Sequence, residues 1–338
     1  MRTISQRSAI IALAIILISL LPTIARSSET PLLSVAAERA KHATVGILNP
    51  INERATISGT APFSVRGSGT HIGDGYILTA RHAIEHQAEG KKIPQETIQV
   101  ITGDLHELSA AFIGINAFLD IAVYRLQKTT LIDSLDQATF SQTESLSGDE
   151  VFTVGYPLGW GPALSFGRMG NTNTFLATIQ SRLLQVDLSA CSGNSGGGLF
   201  NTRGEIVGVI HAIIQTETTQ GERRCSRFAF AVPGLIVKNI VQFLIDGKPF
   251  KFSKLGITLN VTKQGTHWAL AVGKATGPAR QAGFKKGDLV LAIDDHPINT
   301  AAQLKNYLIE HTHPGQQVTI TILRKKIPRN VKVILGES

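Results

Sequence analysis

Short apolar runs dominate the chain between Ala43 and Ala231, and the turn-forming residues Gly, Asn, Asp and Ser separate them. The clearest runs are Tyr76–Ala80, Ile121–Leu126, Val151–Tyr156, Leu183–Leu188 and Glu205–Ile214. This pattern is typical of antiparallel strands in barrels or sandwiches. Asn201–Gly204 lies between two of the runs and predicts a hairpin joining Gly197–Phe200 to Glu205–His211, because glycine supplies the positive φ that such turns need.

A helical pattern begins after Pro233. Apolar residues then recur at helical spacing, at Leu235, Ile236, Ile240, Val241 and Leu244. Pro233 stands near the first turn and Gly247 just past the end, as is usual for helix boundaries. We therefore expect one amphipathic helix, followed by a linker at residues 246–249.

Beyond the linker the pattern predicts a small α+β module of about 85 residues, with strands on either side of a helix at Thr300–Ile309. The expected strands are Gly256–Val261, Leu289–Ile293, Val318–Leu323 and Val331–Leu335. Residues 249–338 carry 13 basic and 5 acidic side chains, whereas the rest of the chain carries 20 of each. We interpret this charge as a solvated basic surface, because no aromatic-basic strand or recognition helix for nucleic acid accompanies it.

The first 25 residues differ from the rest. Arg2 and Arg7 precede an apolar run from Ser8 to Leu21, which Pro22 ends. We interpret residues 1–25 as an export signal, with a retained membrane anchor as the alternative, and expect the mature protein to be periplasmic or secreted. With 43% hydrophobic and 17% charged residues over its 338 positions, the chain has the composition of a globular protein, and we place two domains at 36–248 and 252–336.

The run Gly-Asn-Ser-Gly-Gly at Gly193–Gly197 places a serine in a glycine-rich turn. Because glycine has no β-carbon, such a backbone can fold tightly, with the N–H groups of Gly193 and Ser195 pointing at one spot. Together with Asn194, these residues predict an oxyanion hole around a nucleophilic Ser195. Taken alone, the run is equally compatible with a plain loop or a phosphate-binding turn.

Two other residues supply the remaining roles of serine protease chemistry. His82 follows the run Tyr76–Ala80 as a candidate base, and Asp120 precedes Ile121–Leu126 as a candidate orienting carboxylate. Each has a purely structural alternative: His82 as a histidine in a turn, and Asp120 as an aspartate that caps a turn. The joint order His82, Asp120, Ser195 favours a catalytic triad.

Five segments resemble, in order, the landmarks of the HtrA/Deg family of serine proteases. They are Gly67–Thr70, Asp74–His82, Asp120–Val123, Gly155–Gly159 and Gly193–Gly197. The resemblance implies a mostly β, chymotrypsin-like double β-barrel with the triad in the crevice between barrels, no metal or organic cofactor, and a homotrimer. Ala80 stands where many members have asparagine, and Gly198 where many have proline; neither departure changes the expected activity.

Cys191 and Cys225 are the only cysteines. Their positions are similar to those of a cystine beside the specificity pocket of secreted trypsin-like enzymes, which implies a Cys191–Cys225 disulfide. Two buried thiols are the alternative.

The specificity pocket is expected between two short segments, which contribute Ser189, Cys191 and Ser192 on one side and Ile210, His211 and Ala212 on the other. Ser189 stands where trypsin-like enzymes carry an aspartate that binds a basic side chain. We therefore expect cleavage after small or medium apolar residues.

Leu255-Gly256-Ile257 resembles the carboxylate-binding loop of PDZ domains, and Gly277–Ala279 with Gln281–Ile293 matches the bacterial PDZ pattern. The N–H groups of Leu255, Gly256 and Ile257 would hold a peptide's terminal carboxylate while the following strand pairs with the peptide backbone. His311 and His313 lack a surrounding ligand cluster, so they predict no metal site.

The sequence thus favours a serine endopeptidase that cleaves unfolded or damaged proteins through an acyl-enzyme and binds peptide C-termini at its PDZ domain. The rival hypothesis is a catalytically silent, protease-like scaffold that only captures C-termini. The presence of all three triad residues argues against the scaffold. Nucleic acid is not an expected partner.

Overall fold

The computed structural model describes residues 33–49, 63–88, 90–174, 181–213, 225–264 and 266–337. The predicted export signal, residues 1–25, lies outside the described residues. Within these ranges no helix combines the length and apolar character needed to span a bilayer.

The first barrel follows helix α1 (Leu33–His42) and closes in the strand order β1-β2-β3-β8-β7-β6. Its strands, with the attached hairpin β4–β5, are β1 (Thr44–Leu48), β2 (Val65–His71), β3 (Tyr76–Ala80), β4 (Glu85–Ala88), β5 (Lys91–Pro94), β6 (Thr97–Ile101), β7 (Glu107–Asn116) and β8 (Ile121–Leu126). Val45, Ile77 and Tyr124 fill the barrel interior and are fully buried. Short 3₁₀ turns lie at Arg81–Ala83 and Thr130–Ser134.

The second barrel closes in the order β10-β11-β14-β13-β12-β9. Its strands are β9 (Glu150–Gly155), β10 (Ala163–Thr174), β11 (Leu183–Asp187), β12 (Gly198–Asn201), β13 (Ile206–Ile213) and β14 (Ala229–Pro233), with a 3₁₀ turn at Pro157–Gly159. β12 and β13 form the predicted antiparallel hairpin, and Gly204 has the expected positive φ of 78°. Two closed six-stranded barrels confirm the predicted mostly β, chymotrypsin-like fold class.

Helix α2 (Gly234–Ile245) closes the second barrel where the apolar spacing predicted a helix, and Pro233 is its N-cap residue. Ile236, Val237 and Ile240 on its buried face share one hydrophobic cluster with Leu78 of β3 and Phe230 of β14. Because this cluster joins residues of both barrels, α2 fixes one barrel against the other.

The C-terminal module is built on a six-stranded sheet ordered β16-β17-β18-β20-β21, with β19 paired to β18. Its elements are β15 (Ser253–Lys254), β16 (Ile257–Gln264), β17 (His267–Ala275), α3 (Gly277–Gln281), β18 (Leu289–Ile293), β19 (His296–Pro297), α4 (Ala301–His311), β20 (Gln317–Arg324), β21 (Ile327–Ile334) and β22 (Gly336–Glu337). Thr300 and Gln303 form a capping box that begins α4. The predicted α+β module is confirmed.

Helix α4 also packs on the barrels. Ile309 belongs to the hydrophobic cluster that contains α2 and Leu119. On the same helix, Glu310 accepts two hydrogen bonds from Arg182, at 2.5 and 2.7 Å. Arg182 therefore joins the start of β11 to the C-terminal module.

Candidate active site

His82 and Asp120 form a direct pair at one edge of the first barrel. The 3₁₀ turn after β3 carries His82, and the turn between β7 and β8 carries Asp120. His82 Nδ1 lies 2.5 Å from Asp120 Oδ2, and the backbone N–H of His82 donates to Asp120 Oδ1 at 3.0 Å. Since a carboxylate only accepts, the proton of His82 sits on Nδ1 and leaves Nε2 with a lone pair.

A second imidazole shares the same carboxylate. His211 Nδ1, at the end of β13, lies 2.8 Å from Asp120 Oδ2. Burial by itself would raise the pKa of Asp120, but hydrogen bonds from His211 and His82, together with their charges, lower it to about 2. Asp120 is therefore a carboxylate throughout the physiological pH range. The sequence placed His211 only at the rim of the specificity pocket and did not predict this contact.

Ser195 lies in a turn that only glycines could form. Gly193 and Gly196 have positive φ values of 99° and 86°. A β-carbon on Gly196 would collide with the backbone of Ser68 and with Thr79 and Ala80, so this glycine brings the turn against the end of β3, two residues before His82. The N–H of Gly196 donates to Ile210 O at 2.7 Å, which fixes the turn beside His211 as well.

The turn presents two backbone donors. Ser192 O accepts from the N–H of Leu158 at 2.7 Å. The C=O and N–H groups of a trans peptide point in opposite directions, so the N–H of Gly193 points away from Leu158. Among the described residues, the N–H groups of Gly193 and Ser195 donate to no protein acceptor. Neither N–H group is used within the turn, and their role in an oxyanion hole stays a prediction.

Asn194, the third residue assigned to the oxyanion hole, supports the turn instead. Its backbone N–H donates to Cys191 O at 3.1 Å, and its Oδ1 accepts from the N–H of Cys191 at 3.0 Å. Its own N–H is therefore used within the turn, and we assign Asn194 a supporting role.

Ser68 of β2 connects the barrels beside the Ser195 turn, and sequence reasoning did not single it out. Its hydroxyl donates to Gly193 O at 2.6 Å and accepts from the N–H of Tyr156 at 2.9 Å, and its N–H donates to Ser195 O at 2.8 Å. A β-carbon on the preceding Gly67 would lie 2.7 Å from Ala83 Cβ and 2.8 Å from Ser195 O. Gly67 thus lies between the backbone of Ser195 and the 3₁₀ turn that carries His82.

No hydrogen bond joins the Ser195 hydroxyl to His82 within the described residues. Catalytic hydrogen bonds are often long without substrate and shorten when substrate binds. The structure brings together the His82–Asp120 pair and places Ser195 in the neighbouring turn.

Cys191 and Cys225 form a disulfide, with their Cα atoms 4.4 Å apart. Of the other residues assigned to the specificity pocket, Ser189 and Ser192 are exposed, whereas Ile210 is fully buried in the core of the second barrel. The side chain of Ala212 lies outside the described part of the structure. The pocket assignment stays a prediction.

At the C-terminal module, Leu255-Gly256-Ile257 immediately precedes and begins β16, which is an edge strand within the described sheet. Gly256 has a φ of 83°, and its carbonyl accepts from the N–H of Thr276 at 2.7 Å. A β-carbon there would collide with Thr276 O, so glycine is required for this loop.

Comparisons with known proteins agree with this architecture. A model of the trypsin-like peptidase domain matches residues 67–209, and a model of the PDZ domain matches residues 253–335. The HtrA-type protease AlgW, solved with a tripeptide, superposes with a TM-score of 0.67 over 91% of this chain and 98% of that chain. At 23% identity, this likeness supports the fold alone.

Curated relatives extend the match to sequence. The chain is 31% identical over 294 residues to the periplasmic pH-dependent serine endoprotease DegQ of Escherichia coli, covering 82% of this chain and 60% of DegQ. It is 30% identical over 280 residues to a probable periplasmic serine endoprotease, DegP-like, of Bartonella henselae, covering 80% and 52% of the two chains. The chain spans less than two thirds of the length of either relative. From this identity, and from two domain matches in the order that the fold shows, the chain belongs to the HtrA/Deg family.

Proposed function

We propose that the protein is a serine endopeptidase in which Ser195 is the nucleophile, His82 the base and Asp120 the residue that orients His82. The observation that carries this proposal is the His82 Nδ1–Asp120 Oδ2 pair beside a glycine turn whose two N–H groups have no protein acceptor among the described residues. The names of the relatives, which are serine endoproteases, support it.

The reaction follows from these positions. His82 Nε2 takes the proton of Ser195 Oγ as this oxygen attacks the scissile carbonyl carbon. The N–H groups of Gly193 and Ser195 stabilise the negative charge that develops on the carbonyl oxygen. Asp120, which stays ionised, stabilises the His82 imidazolium. His82 then protonates the leaving amine, and water attacks the acyl-enzyme with His82 again as base.

Reaction with a fluorophosphonate probe tests the proposal. The serine oxygen attacks the phosphorus atom of the probe and displaces fluoride, which requires an activated hydroxyl. We therefore expect a covalent adduct at Ser195 and none at the exposed Ser192 three residues earlier. Peptide mapping by mass spectrometry distinguishes the two serines, and Ser195→Ala is the matched negative control. A folded protein that stays unlabelled, with or without a C-terminal peptide, would support the silent scaffold.

We further propose that the PDZ domain binds peptide C-termini between β16 and α4. β16 offers an unpaired edge within the described sheet, as addition of a peptide strand requires. Leu259 of β16 packs against the same hydrophobic cluster as Leu304 and Leu308 of α4, so strand and helix border one apolar surface. The loop at Leu255, Gly256 and Ile257 lies at the start of that strand.

The contacts of α4 support a regulatory role for this domain beyond substrate capture. Lys305 Nζ lies 5.2 Å from the centre of the Phe118 ring, and Phe118 precedes Asp120 by two residues. Arg182 N donates to Asn306 Oδ1 at 3.2 Å, in addition to the bonds from its guanidinium to Glu310. A peptide that moves α4 would thus act on both the Asp120 turn and the start of β11.

The proposed substrates are unfolded or damaged proteins in an extracytoplasmic compartment. The Cys191–Cys225 disulfide fits an oxidising compartment, and both curated relatives above are named periplasmic.

A further inference from the structure

Three side chains with metal-binding atoms converge at the catalytic carboxylate. They are His82, Asp120 and His211, and their nearest ligand atoms all lie within 4.8 Å of one another. Three separate segments supply them: the 3₁₀ turn after β3, the β7–β8 turn and the end of β13. A triad requires only two of these groups, so the second imidazole needs its own explanation.

We propose that His82, Asp120 and His211 form a binding site for a zinc ion, which reversibly inhibits the enzyme. Binding itself depends only on this geometry, whereas the inhibitory consequence rests on the proposed function.

The ligand set favours zinc over the common alkaline-earth ions. Two imidazole nitrogens and one carboxylate oxygen, with a fourth position open to water, are a frequent zinc environment, whereas Ca²⁺ and Mg²⁺ prefer oxygen ligands alone. Ligand atoms about 2.0–2.2 Å from a tetrahedral zinc ion lie roughly 3.3 Å from each other. His82 Nδ1 and His211 Nδ1 now lie 2.5 and 2.8 Å from Asp120 Oδ2, so small outward rotations of the rings make room for the ion.

Burial gives the site a largely enclosed base and an open entrance. The side chains of Asp120 and His211 are only 12% and 10% exposed, whereas that of His82 is 41% exposed. The ion can therefore enter beside His82, whose ring has the space to move. The guanidinium of neighbouring Arg81 lies 2.6 Å from the carboxylate of Glu85, which partly neutralises its positive charge near the site.

Inhibition follows from the proton positions. A ring that binds zinc through Nδ1 carries its proton on Nε2, so His82 would lose the lone pair that takes the proton of Ser195. The same ion would occupy the oxygen of Asp120 that orients His82. Removal of zinc by a chelator restores the hydrogen bonds and the base.

The test measures zinc binding by titration calorimetry on the full chain carrying Ser195→Ala, so that the result does not depend on catalysis. We expect a saturable site that His211→Thr weakens by at least about tenfold, since one of three protein ligands is lost. His82→Ala, at a more exposed position, should weaken it similarly. His106→Asn, which removes an exposed histidine elsewhere, is the matched control and should leave the affinity unchanged.

In the Ser195-containing protein, zinc should slow fluorophosphonate labelling, and a chelator should restore the rate. Zinc affinity that is equal with and without His211 overturns the proposal, as does affinity that survives His82→Ala. Binding that both variants weaken, in a protein that the probe never labels, would keep the zinc site and reject only the protease assignment.

Discussion

Asp120 is the residue on which the candidate site depends most. Its carboxylate accepts from the backbone of His82 and lies within hydrogen-bonding distance of two imidazoles. Its φ is 58°, a left-handed conformation that aspartate tolerates better than most residues. In this conformation its carbonyl also accepts from the N–H of Arg81 at 2.8 Å, so the Asp120 turn and the His82 turn are joined through both backbone and side chain.

Asp120→Asn should lower kcat by about 10⁴-fold while the fold persists. An amide has one accepting oxygen, which the backbone N–H of His82 would use, so its NH₂ group would face the two Nδ1 atoms. His82 would then accept at Nδ1 and carry its proton on Nε2, the wrong tautomer for a base. The measurement is steady-state hydrolysis of a small peptide substrate, with circular dichroism as the control for folding. A variant that retains more than a tenth of the wild-type kcat would contradict the role of Asp120.

Local sequence was sufficient to propose His82, Asp120 and Ser195, because each stands in its own recognisable segment. It was not sufficient for His211 or Ser68. His211 meets Asp120 across 91 positions of sequence, and Ser68 meets Gly193 across 125, so only the closure of the barrels brings these atoms together. For Asn194 the sequence predicted the turn, but it did not show that the N–H of Asn194 donates to Cys191 O within that turn.

At the scale of elements, one disulfide and one pair of backbone hydrogen bonds hold the start of the Ser195 turn. Cys191 precedes the turn and is bonded to Cys225. One residue before Cys191, Ala190 exchanges two backbone hydrogen bonds of 2.8 Å with Ser226. The N-terminal end of the turn is thus tied to the segment that leads into β14.

Replacing both cysteines, in Cys191→Ala/Cys225→Ala, should lower the free energy of unfolding by about 3–4 kcal/mol in the chain-entropy treatment of a disulfide loop. The bridged residues are 34 positions apart, which sets the size of that loop. We also expect a lower kcat, because the disulfide anchors Cys191, whose backbone N–H and carbonyl both hydrogen-bond to Asn194 in the turn. Urea unfolding measures the first effect. An unchanged midpoint with an unchanged m-value would show that the disulfide does not stabilise the fold.

The long strand β10 shows why some elements escaped sequence analysis. Its sequence, Ala163–Thr174, contains two glycines and two asparagines, which are poor strand formers, and most of its side chains are not buried. Neighbouring strands impose the conformation, since β9 pairs with its first half and β11 with its second. In contrast, the apolar spacing of α2 predicted where this helix lies in the sequence, because its apolar face is buried against one hydrophobic cluster.

For the whole molecule, helix α4 links the core of the PDZ domain to the two barrels. One face contributes Leu304 and Leu308 to the PDZ core, while Ile309 packs with residues of the barrels. Arg182, largely buried, bonds to Glu310 and also to Glu144 at 3.0 Å. Burial alone would lower the pKa of Arg182, but the hydrogen bonds and charge of Glu310, with a contribution from Glu144, raise it, so the guanidinium stays charged at any physiological pH.

We expect a short peptide with a free C-terminal carboxylate to change the hydrolysis rate of a separate small chromogenic substrate several-fold, because coupling between sites is typically about 1–3 kcal/mol. The same peptide with an amidated C-terminus is the control and should have little effect. Glu310→Gln, which weakens the bond between α4 and Arg182, should reduce the response. If saturating peptide leaves the small-substrate rate unchanged, the PDZ domain captures substrates without regulating the site.

The central claim is that Ser195 makes this chain an endopeptidase, and the hydrolysis of unfolded casein by matched variants tests it most directly. We predict cleavage by the wild-type protein and by Ser147→Ala, which changes an exposed serine far from the turn in sequence. Ser195→Ala should lose this activity while it keeps the wild-type circular dichroism spectrum, because the glycine turn does not need the hydroxyl. Undiminished cleavage of casein by the folded Ser195→Ala variant would contradict the account.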